Sequence, residues 1–561
     1  MKLRKIIYSI AIAIFLIAGV TSCNKESFNI NQNPNQPTDS TITYNVLLPA
    51  AQNASGRIVA NQWGWLQNWM GYWARSGTYA PNTSEETYEV NTNFQAGIWT
   101  AIYDNNYDYQ NMQVQATKVK ADFYAGIARI MKAHNYQILV DFYNNVPYKE
   151  ALNGSNNVTP KYDKGNVIYQ DLLRQIDTGI ALIKGASNSA TGPNRFILTD
   201  DIMFGTSLIP QGTTTLPDYI NQMKPRWARF GNSLKLRLLV HLMNGGVLVP
   251  NATVAGFNIP AELAIIATEG SGYMGAGENA QINPGYSTST TSRMNPFYSN
   301  YVADNTGVVT ANSQYFKANS FALEYYAFNG DPRAARYYKA GAQGLRGVAY
   351  GAPSLTINAA AELAGIGDGV AKTAAAAQWL MTGMESLFLQ AEARHRGFLT
   401  GSPNAMMQSA ITESFALVGS GGAAAYMAGN ASYPDVDYNG VSQGAGLPAG
   451  GLFTIISQKW FALNAIATFE VFTDYRRINM RTRTGAPIDR FIYAQGGGFT
   501  VTAGSGYPAS TVGPPISISP GNTTTQIPTR LLYPQNEYNY NPTNVAAEGS
   551  VTKNGKVFWD N

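Results

Sequence analysis

Between residues 59 and 73, apolar side chains fall at Val59, Trp63, Leu66, Met70 and Trp73. Steps of four and three residues set these on one face of a helix. Trp65, Trp69 and Tyr72 form a second stripe on another side, and a helix apolar on two sides is sandwiched between neighbours. The same periodicity predicts helices over 94–110, 119–141 and 166–184, the last carrying Ile168, Leu172, Ile176, Ile180 and Ile183 in register. From about 246 to 375, Gly, Asn, Ser and Tyr dominate and the helical period is intermittent. Helices return at 376–396, 404–418 and 452–482, with a Gly-rich loop from Gly419 to Gly451 before the last. Residues 483–561 read as loop. The pattern predicts a mainly α protein: a helical scaffold over about 43–245 and 376–482, interrupted by a long, loop-rich insertion. Paired helices in series point to a helical-repeat solenoid, although no strict 34-residue period is visible.

The first 22 residues stand apart. Lys2, Arg4 and Lys5 precede an apolar stretch from Ile6 to Val20, and Cys23 follows as the single cysteine of the chain. A basic start, a short apolar run and small residues before a cut describe an export signal, too short to span a bilayer. A cysteine in that place resembles a bacterial lipobox, so Cys23 is expected to carry a lipid anchor. The alternative is an ordinary signal whose cysteine merely lies nearby. Residues 23–42, with Asn33-Pro34-Asn35 and Pro37, read as an extended tether.

Composition narrows the function classes. The formal charge is +4, and three of those positive charges sit in the expected signal, which argues against a nucleic-acid partner. Charged residues make up only 13%, beside 34 tyrosines and 9 tryptophans, a balance that suits neutral polar ligands better than ionic ones.

Four stretches taken in order carry a resemblance. The first runs from Ala121 to Leu152, with His134-Asn135-Tyr136 leading into Asp141-Phe142-Tyr143-Asn144-Asn145-Val146-Pro147-Tyr148. The second runs from Trp227 through Asn232-Ser233 to Leu238, including Arg237. The third is Glu385 to Ala393, followed by Arg396-Gly397. The fourth comprises Gln458-Lys459-Trp460, Glu470 and Asp474-Tyr475-Arg476-Arg477, completed by Arg530, Tyr533-Pro534 and Glu537. Together they resemble the SusD/RagB family of nutrient-uptake lipoproteins of Bacteroidota, in its SusD-like subgroup. One departure is Asn144, where the family often has Gly. The resemblance implies tetratricopeptide-like helix pairs packed against a variable ligand-binding lobe, a single domain over 43–561 and an outer-membrane location facing the cell exterior. It also implies a partner, a SusC-like TonB-dependent β-barrel transporter. The expected role is capture of oligosaccharide for import. The alternatives are capture of peptides, a surface hydrolase, or a lid that only stabilises the transporter.

Most of the matched residues read as scaffold. His134 continues the stripe Ile127, Met131, Ile138, and His241 follows Leu234 and Leu238, so both are expected in core hydrogen bonds. His395 lies near a helix end, where a cation suits the macrodipole. Glu470 continues the stripe Ile456, Trp460, Leu463, Ala467 and should point inward; Arg237, Arg476 and Arg477 are its available partners. Trp63, Trp73, Trp227, Trp379 and Trp460 fall in helical stripes and read as core. There is no GxSxG, P-loop or HExxH, and no zinc constellation. No catalytic residue, metal ligand or cofactor is therefore expected, although a structural calcium in a loop stays open.

Ligand chemistry is sought instead in two irregular places. The loop from Ala74 to Asn93 carries Arg75, Tyr79, Glu86, Tyr88 and Asn91, and the family often draws ligand contacts from its equivalent. The insertion offers Tyr286, Phe297, Tyr298 and Tyr301. Flat aromatic faces stack on sugar rings, while amides and charged groups read hydroxyls. Arg75, Tyr79, Tyr88, Asn91, Tyr286 and Tyr298 are the candidate ligand-binding residues.

Overall fold

The fold is built on helices that pack in sequence, each burying the stripe its sequence lays out. The computed structural model describes residues 42–187, 196–205, 216–243, 253–254, 256–442, 449–478, 499–500, 511–512, 517–522 and 527–560. The expected signal, Cys23 and nearly all of the tether lie outside the described residues. Residues Tyr44–Asn561 form one compact unit. Its helices are α1 (Tyr44–Asn61), α2 (Gly64–Trp69), α3 (Ala96–Lys118), α4 (Asp122–Tyr143), α5 (Gly165–Gly185) and α6 (Leu216–Leu242). The insertion adds α7 (Ile259–Glu269), α8 (Pro296–Tyr301), α9 (Ala311–Tyr315) and α10 (Ser320–Phe328). The second part of the scaffold is α11 (Gly383–His395), α12 (Pro403–Val418), α13 (Leu452–Leu463) and α14 (Thr468–Arg477). Neighbours in sequence pack as α3/α4, α5/α6, α11/α12 and α13/α14, and α4/α5 and α11/α6 join the pairs. The fold is mainly α and tetratricopeptide-like.

Close approach of α4 to α5 has a specific cause. A Cβ on Gly126 would lie 2.6 Å from the Gly179 carbonyl oxygen, and one on Gly179 would lie 2.8 Å from the Gly126 oxygen. Two glycines facing each other let the backbones touch where any side chain would hold them apart.

Short strands β1 (Trp73–Arg75), β2 (Ala280–Ile282), β3 (Phe316–Ala318) and β4 (Gln378–Met381) tie the insertion to the scaffold as antiparallel pairs β1·β3 and β2·β4. The structure departs from the periodicity at three places, the first two at these ribbons. The helix expected through residue 73 breaks after Asn61 and stops at Trp69, and Gly71 at φ 80° turns the chain so that Trp73 enters β1. The segment 376–396 opens as strand β4, so Trp379 is half-buried on a ribbon and not in a helical core stripe. The helix expected over 452–482 is two helices: Ala465, at φ 59°, lies in the break and donates its N–H to the Gln67 amide oxygen at 3.3 Å. The insertion is also more ordered than its composition implied, because its helices are four to eleven residues long, too short to show a period.

Candidate functional site

The stretches that carry the family resemblance meet in one buried polar cluster. Asp141, at the end of α4, accepts hydrogen bonds from the Tyr169 hydroxyl and, at 2.8 Å, from the Trp559 indole. His241 on α6 reaches Asp141 through Nδ1 at 3.3 Å and Glu470 on α14 through Nε2 at 2.9 Å. Arg237 bridges Glu470 at 3.4 Å and Glu385 on α11 at 2.6 Å. Arg477 holds Glu392 through a two-pronged contact at 2.7 and 2.6 Å and also reaches Asp474 at 2.6 Å; Lys459 meets Asp474 at 3.0 Å. All of these residues are buried. Ions at such depth persist only when paired on several sides.

The cluster sets its own protonation. Burial alone would raise the Glu470 pKa, but Arg237 and His241 outweigh it and hold the carboxyl well below the usual range. Burial likewise disfavours the His241 cation, yet Glu470 and Asp141 overcome it and raise the pKa. His134 differs. Its Nδ1 lies 3.2 Å from the Asn135 amide oxygen, and burial followed by the Arg237 charge pushes its pKa down to about 4. Glu470 thus points inward as its stripe predicts, with Arg237 as one partner. Arg476 and Arg477 are engaged elsewhere: Arg476 donates to the backbone oxygens of Asp141 and Thr529, and Arg477 pairs with Glu392 and Asp474. His241, the other partner, was legible only as a core histidine. His395 lies in the last turn of α11, as expected; its Nδ1 is 2.8 Å from the Tyr438 hydroxyl, and burial, then Arg396, lowers its pKa.

The Asn144 departure has a structural reason. Asn144 sits at φ 68°, the side of the map that favours glycine, and its side-chain oxygen accepts the Phe558 N–H at 2.8 Å. With ψ at −82° the residue takes a γ-turn conformation rare for any side chain, and here the Asn144 amide fastens the segment around Phe558.

The loop 74–93 divides into two halves. In the first, Arg75 is 2% exposed and acts as a brace, not a contact surface. Its guanidinium pairs with Glu86 at 2.6 Å and donates to the carbonyls of Tyr79 at 2.7 Å and Ala352 at 2.6 Å. Tyr79 is thereby held half-exposed on the surface, its ring edge-on to Tyr315 at 5.3 Å and its hydroxyl donating to the Ala311 carbonyl. Helix α9, which supplies Ala311 and Tyr315, joins α8 through an Asn312–Asn300 hydrogen bond of 2.7 Å. Tyr298, on α8, is also half-exposed. Tyr79, Tyr315 and the amides of Asn300 and Asn312 are the accessible chemistry of this face. Tyr315 lies within the insertion, but nothing in its sequence surroundings separates it from the other tyrosines there.

In the second half, Tyr88 is fully buried, packed edge-on to Trp69 at 5.4 Å, and its hydroxyl accepts the Ser517 N–H at 2.7 Å. It offers no face to a ligand. Asn91 is exposed, but its side-chain oxygen caps the N–H groups of Asn93 and Phe94 at 2.9 and 3.1 Å. Tyr286 is 7% exposed, with its hydroxyl donating to Asn53 on α1. Phe297 and Tyr301 pack on Trp73 at 6.3 and 5.2 Å. Tyr79 and Tyr298 are therefore the aromatic members of the expected set that the fold leaves half-exposed, and Arg75 braces the loop that carries Tyr79.

Beneath this face, Glu85 is buried beside Glu86. Burial and the neighbouring carboxylate raise its pKa to about 7 against a hydrogen bond from Asn68. Among the described residues, no group of His, Cys, Asp and Glu could hold a metal ion, and no helix is long and apolar enough to cross a membrane.

Comparison with known proteins places this architecture. No curated protein matches the chain. Among solved structures, a SusD homolog from Bacteroides fragilis is similar with a TM-score of 0.64 and 18% identity, covering 92% of this chain and 99% of its own. A SusD homolog from Bacteroides uniformis gives the same values. A chitin-binding SusD homolog from Flavobacterium johnsoniae is similar with a TM-score of 0.62 and 21% identity, over 91% and 98% of the two chains. A SusD-like family model, described as starch-binding and associating with the outer membrane, matches residues 32–486. With that match over most of its length, on a scaffold whose buried cluster is built from the resembling stretches, the chain belongs to the SusD-like family.

Proposed function

We propose that the protein is a non-enzymatic, cell-surface capture protein for oligosaccharides. In this reading residues 1–22 are a signal, Cys23 carries the lipid anchor, 23–42 form the tether and 43–561 are the binding domain. It holds its ligand for a SusC-like TonB-dependent transporter of the outer membrane. The observation that carries the reading is the pair of half-exposed rings Tyr79 and Tyr315, edge-on to each other near the Asn300 and Asn312 amides, with the Tyr79 loop braced by buried Arg75 and Tyr298 also half-exposed on α8. Rings that stack and amides that read hydroxyls are the chemistry a neutral glycan needs. The family description as starch-binding, and the chitin-binding neighbour, support the same ligand class.

The test is calorimetric titration of the mature chain with starch-derived and chitin-derived oligosaccharides and, in parallel, with a mixed peptide digest. Stacking on one aromatic contributes about 0.5–1.5 kcal/mol beyond area burial, so Tyr79→Ala, Tyr298→Ala and Tyr315→Ala should each weaken glycan binding several-fold while remaining folded. Wild-type affinity in all three would put the site elsewhere. Binding of the peptide digest alone would replace glycan with peptide as the ligand.

A further inference from the structure

A second cleft lies away from the tyrosine face, among α3, α4 and α5. Its volume is about 150 Å³, and its walls include Gln110 and Gln113 of α3, Arg129, Lys132 and Tyr136 of α4, and Gln175 of α5. The charges in it are unbalanced. Arg129 and Lys132 stand one helical turn apart on α4, and neither has an ion-pair partner among the described residues. Arg129 donates to the Gln175 amide oxygen, and Lys132 donates to that of Gln110 at 2.5 Å. The acid whose field reaches Lys132 is Asp171, and it is already engaged by Arg174 at 2.8 Å, Tyr148 at 2.5 Å and Gln175 at 3.2 Å. Lys149, the third cation on the rim, pairs with Asp163 at 3.8 Å.

Polar groups in the same wall are left over. The Tyr136 hydroxyl and the Arg129 Nε have no hydrogen-bond partner among the described residues. Gln113 has an unpartnered amide oxygen, which a flip of the amide would exchange for a donor. Two like charges held together in a partly buried cleft repel each other and lose hydration. Burial, then the Arg129 charge, brings the Lys132 pKa down to about 7, with Asp171 opposing. An anion seated between them would remove both penalties at once, and charge-assisted hydrogen bonds to it are the strong kind.

We propose that the α3–α4–α5 cleft is a binding site for a small oxyanion, with Arg129 and Lys132 as its principal ligands. A tetrahedral or planar oxyanion fits a cleft of this volume, and the anion can be free or can be the acidic substituent of a sugar. This site is independent of the tyrosine face and stands or falls without it.

The test is titration of the mature chain with inorganic phosphate, glucose 6-phosphate and glucose at fixed ionic strength, in the wild type and in an Arg129→Gln/Lys132→Gln double variant. Phosphate should bind the wild type, and the double variant should lose about tenfold or more in affinity while melting at the same or a higher temperature. The single variant Lys132→Gln leaves the Arg129–Gln175 contact in place and should give an intermediate loss. Glucose 6-phosphate binding much tighter than phosphate, with the same dependence on both residues, would identify an acidic sugar as the ligand; equal or weaker binding would identify the free ion. Absence of phosphate binding, or equal affinity in wild type and variants, would overturn the proposal. So would glucose displacing bound phosphate as effectively as glucose 6-phosphate does.

Discussion

Replacing Glu470 with Gln keeps the shape of the side chain and removes its charge from the centre of the buried cluster. Two partners lose a counter-ion: Arg237, 3.4 Å away, and His241, 2.9 Å away. Breaking a buried pair outright costs about 3–5 kcal/mol. Neither partner is fully stranded here, because Arg237 keeps Glu385 at 2.6 Å and His241 keeps Asp141 at 3.3 Å. The expected loss is therefore at the lower end, about 2–4 kcal/mol. The pH dependence gives an internal check. His241 has a raised pKa in the fold, so its contribution is complete below its unfolded value near 6.5 and fades as pH rises through the folded value. Glu470 has a lowered pKa, so its contribution is complete above about 4.5 and is lost as pH falls towards the folded value. The difference between wild type and Glu470→Gln should thus be largest between about pH 5 and 6.5 and shrink on either side. Urea unfolding across that range measures it, with glycan titration at a pH where both proteins are folded. An unchanged unfolding midpoint together with abolished glycan binding would refute the structural assignment and make Glu470 a ligand contact.

Glu85 should behave in the opposite sense. Its pKa is raised from 4.5 to about 7, so folding stability falls as pH rises from about 4.5 to 7 and is level beyond; Glu85→Gln should remove that slope and raise stability at pH 8 by up to about 3 kcal/mol, read from urea midpoints at pH 5 and pH 8. A variant no more stable than wild type at pH 8 would mean that the carboxylate is ionised and satisfied. Gly126→Ala would put a methyl group 2.6 Å from the Gly179 oxygen and should cost about 1–3 kcal/mol by forcing α4 from α5; a melting temperature within a degree of wild type would show that the helices separate freely. Cys23→Ala should abolish incorporation of labelled palmitate and release the protein from the outer-membrane fraction, since stable attachment takes more than one acyl chain; retained label would rule out Cys23 as the anchor.

Long helices were legible because their apolar stripes are long. Ile168 to Ile183 repeats often enough to locate α5 within a residue or two. Periodicity failed where the chain breaks between two apolar stretches that happen to stay in phase. Ile456 to Glu470 reads as one stripe, yet Asn464–Ala467 leave the helix because Asn464 is drawn to Tyr338 at 2.9 Å and Ala465 to Gln67. Those partners are over a hundred residues away, and no local pattern encodes them. The candidate face was half legible for a similar reason. Tyr79 and Tyr88 look alike in sequence, but Tyr88 is covered by the segment around Ser517, whereas Arg75 props the loop so that Tyr79 stays accessible. The ion pairs of the cluster were inferred from a buried acid needing a base; which base is set by how α6, α11 and α14 converge.

The Trp559–Asp141 contact joins residues 418 positions apart, and Leu531, Tyr533 and Phe558 bind the same short turn after α4. Helices α3 to α5 rest on near-neighbour contacts and can assemble early, whereas this closure waits for almost the whole chain. Until then the Asp141 carboxylate lacks its indole donor, and Arg476 lacks the Trp559 ring that it faces at 4.7 Å. A chain that appears from its N-terminal side onward would hold an open, half-finished groove until residues 527–560 arrive. The interval before the last stretch arrives is when such a chain is most exposed to aggregation and to proteases. Slowing that arrival, without altering any residue of the finished molecule, should lower its yield.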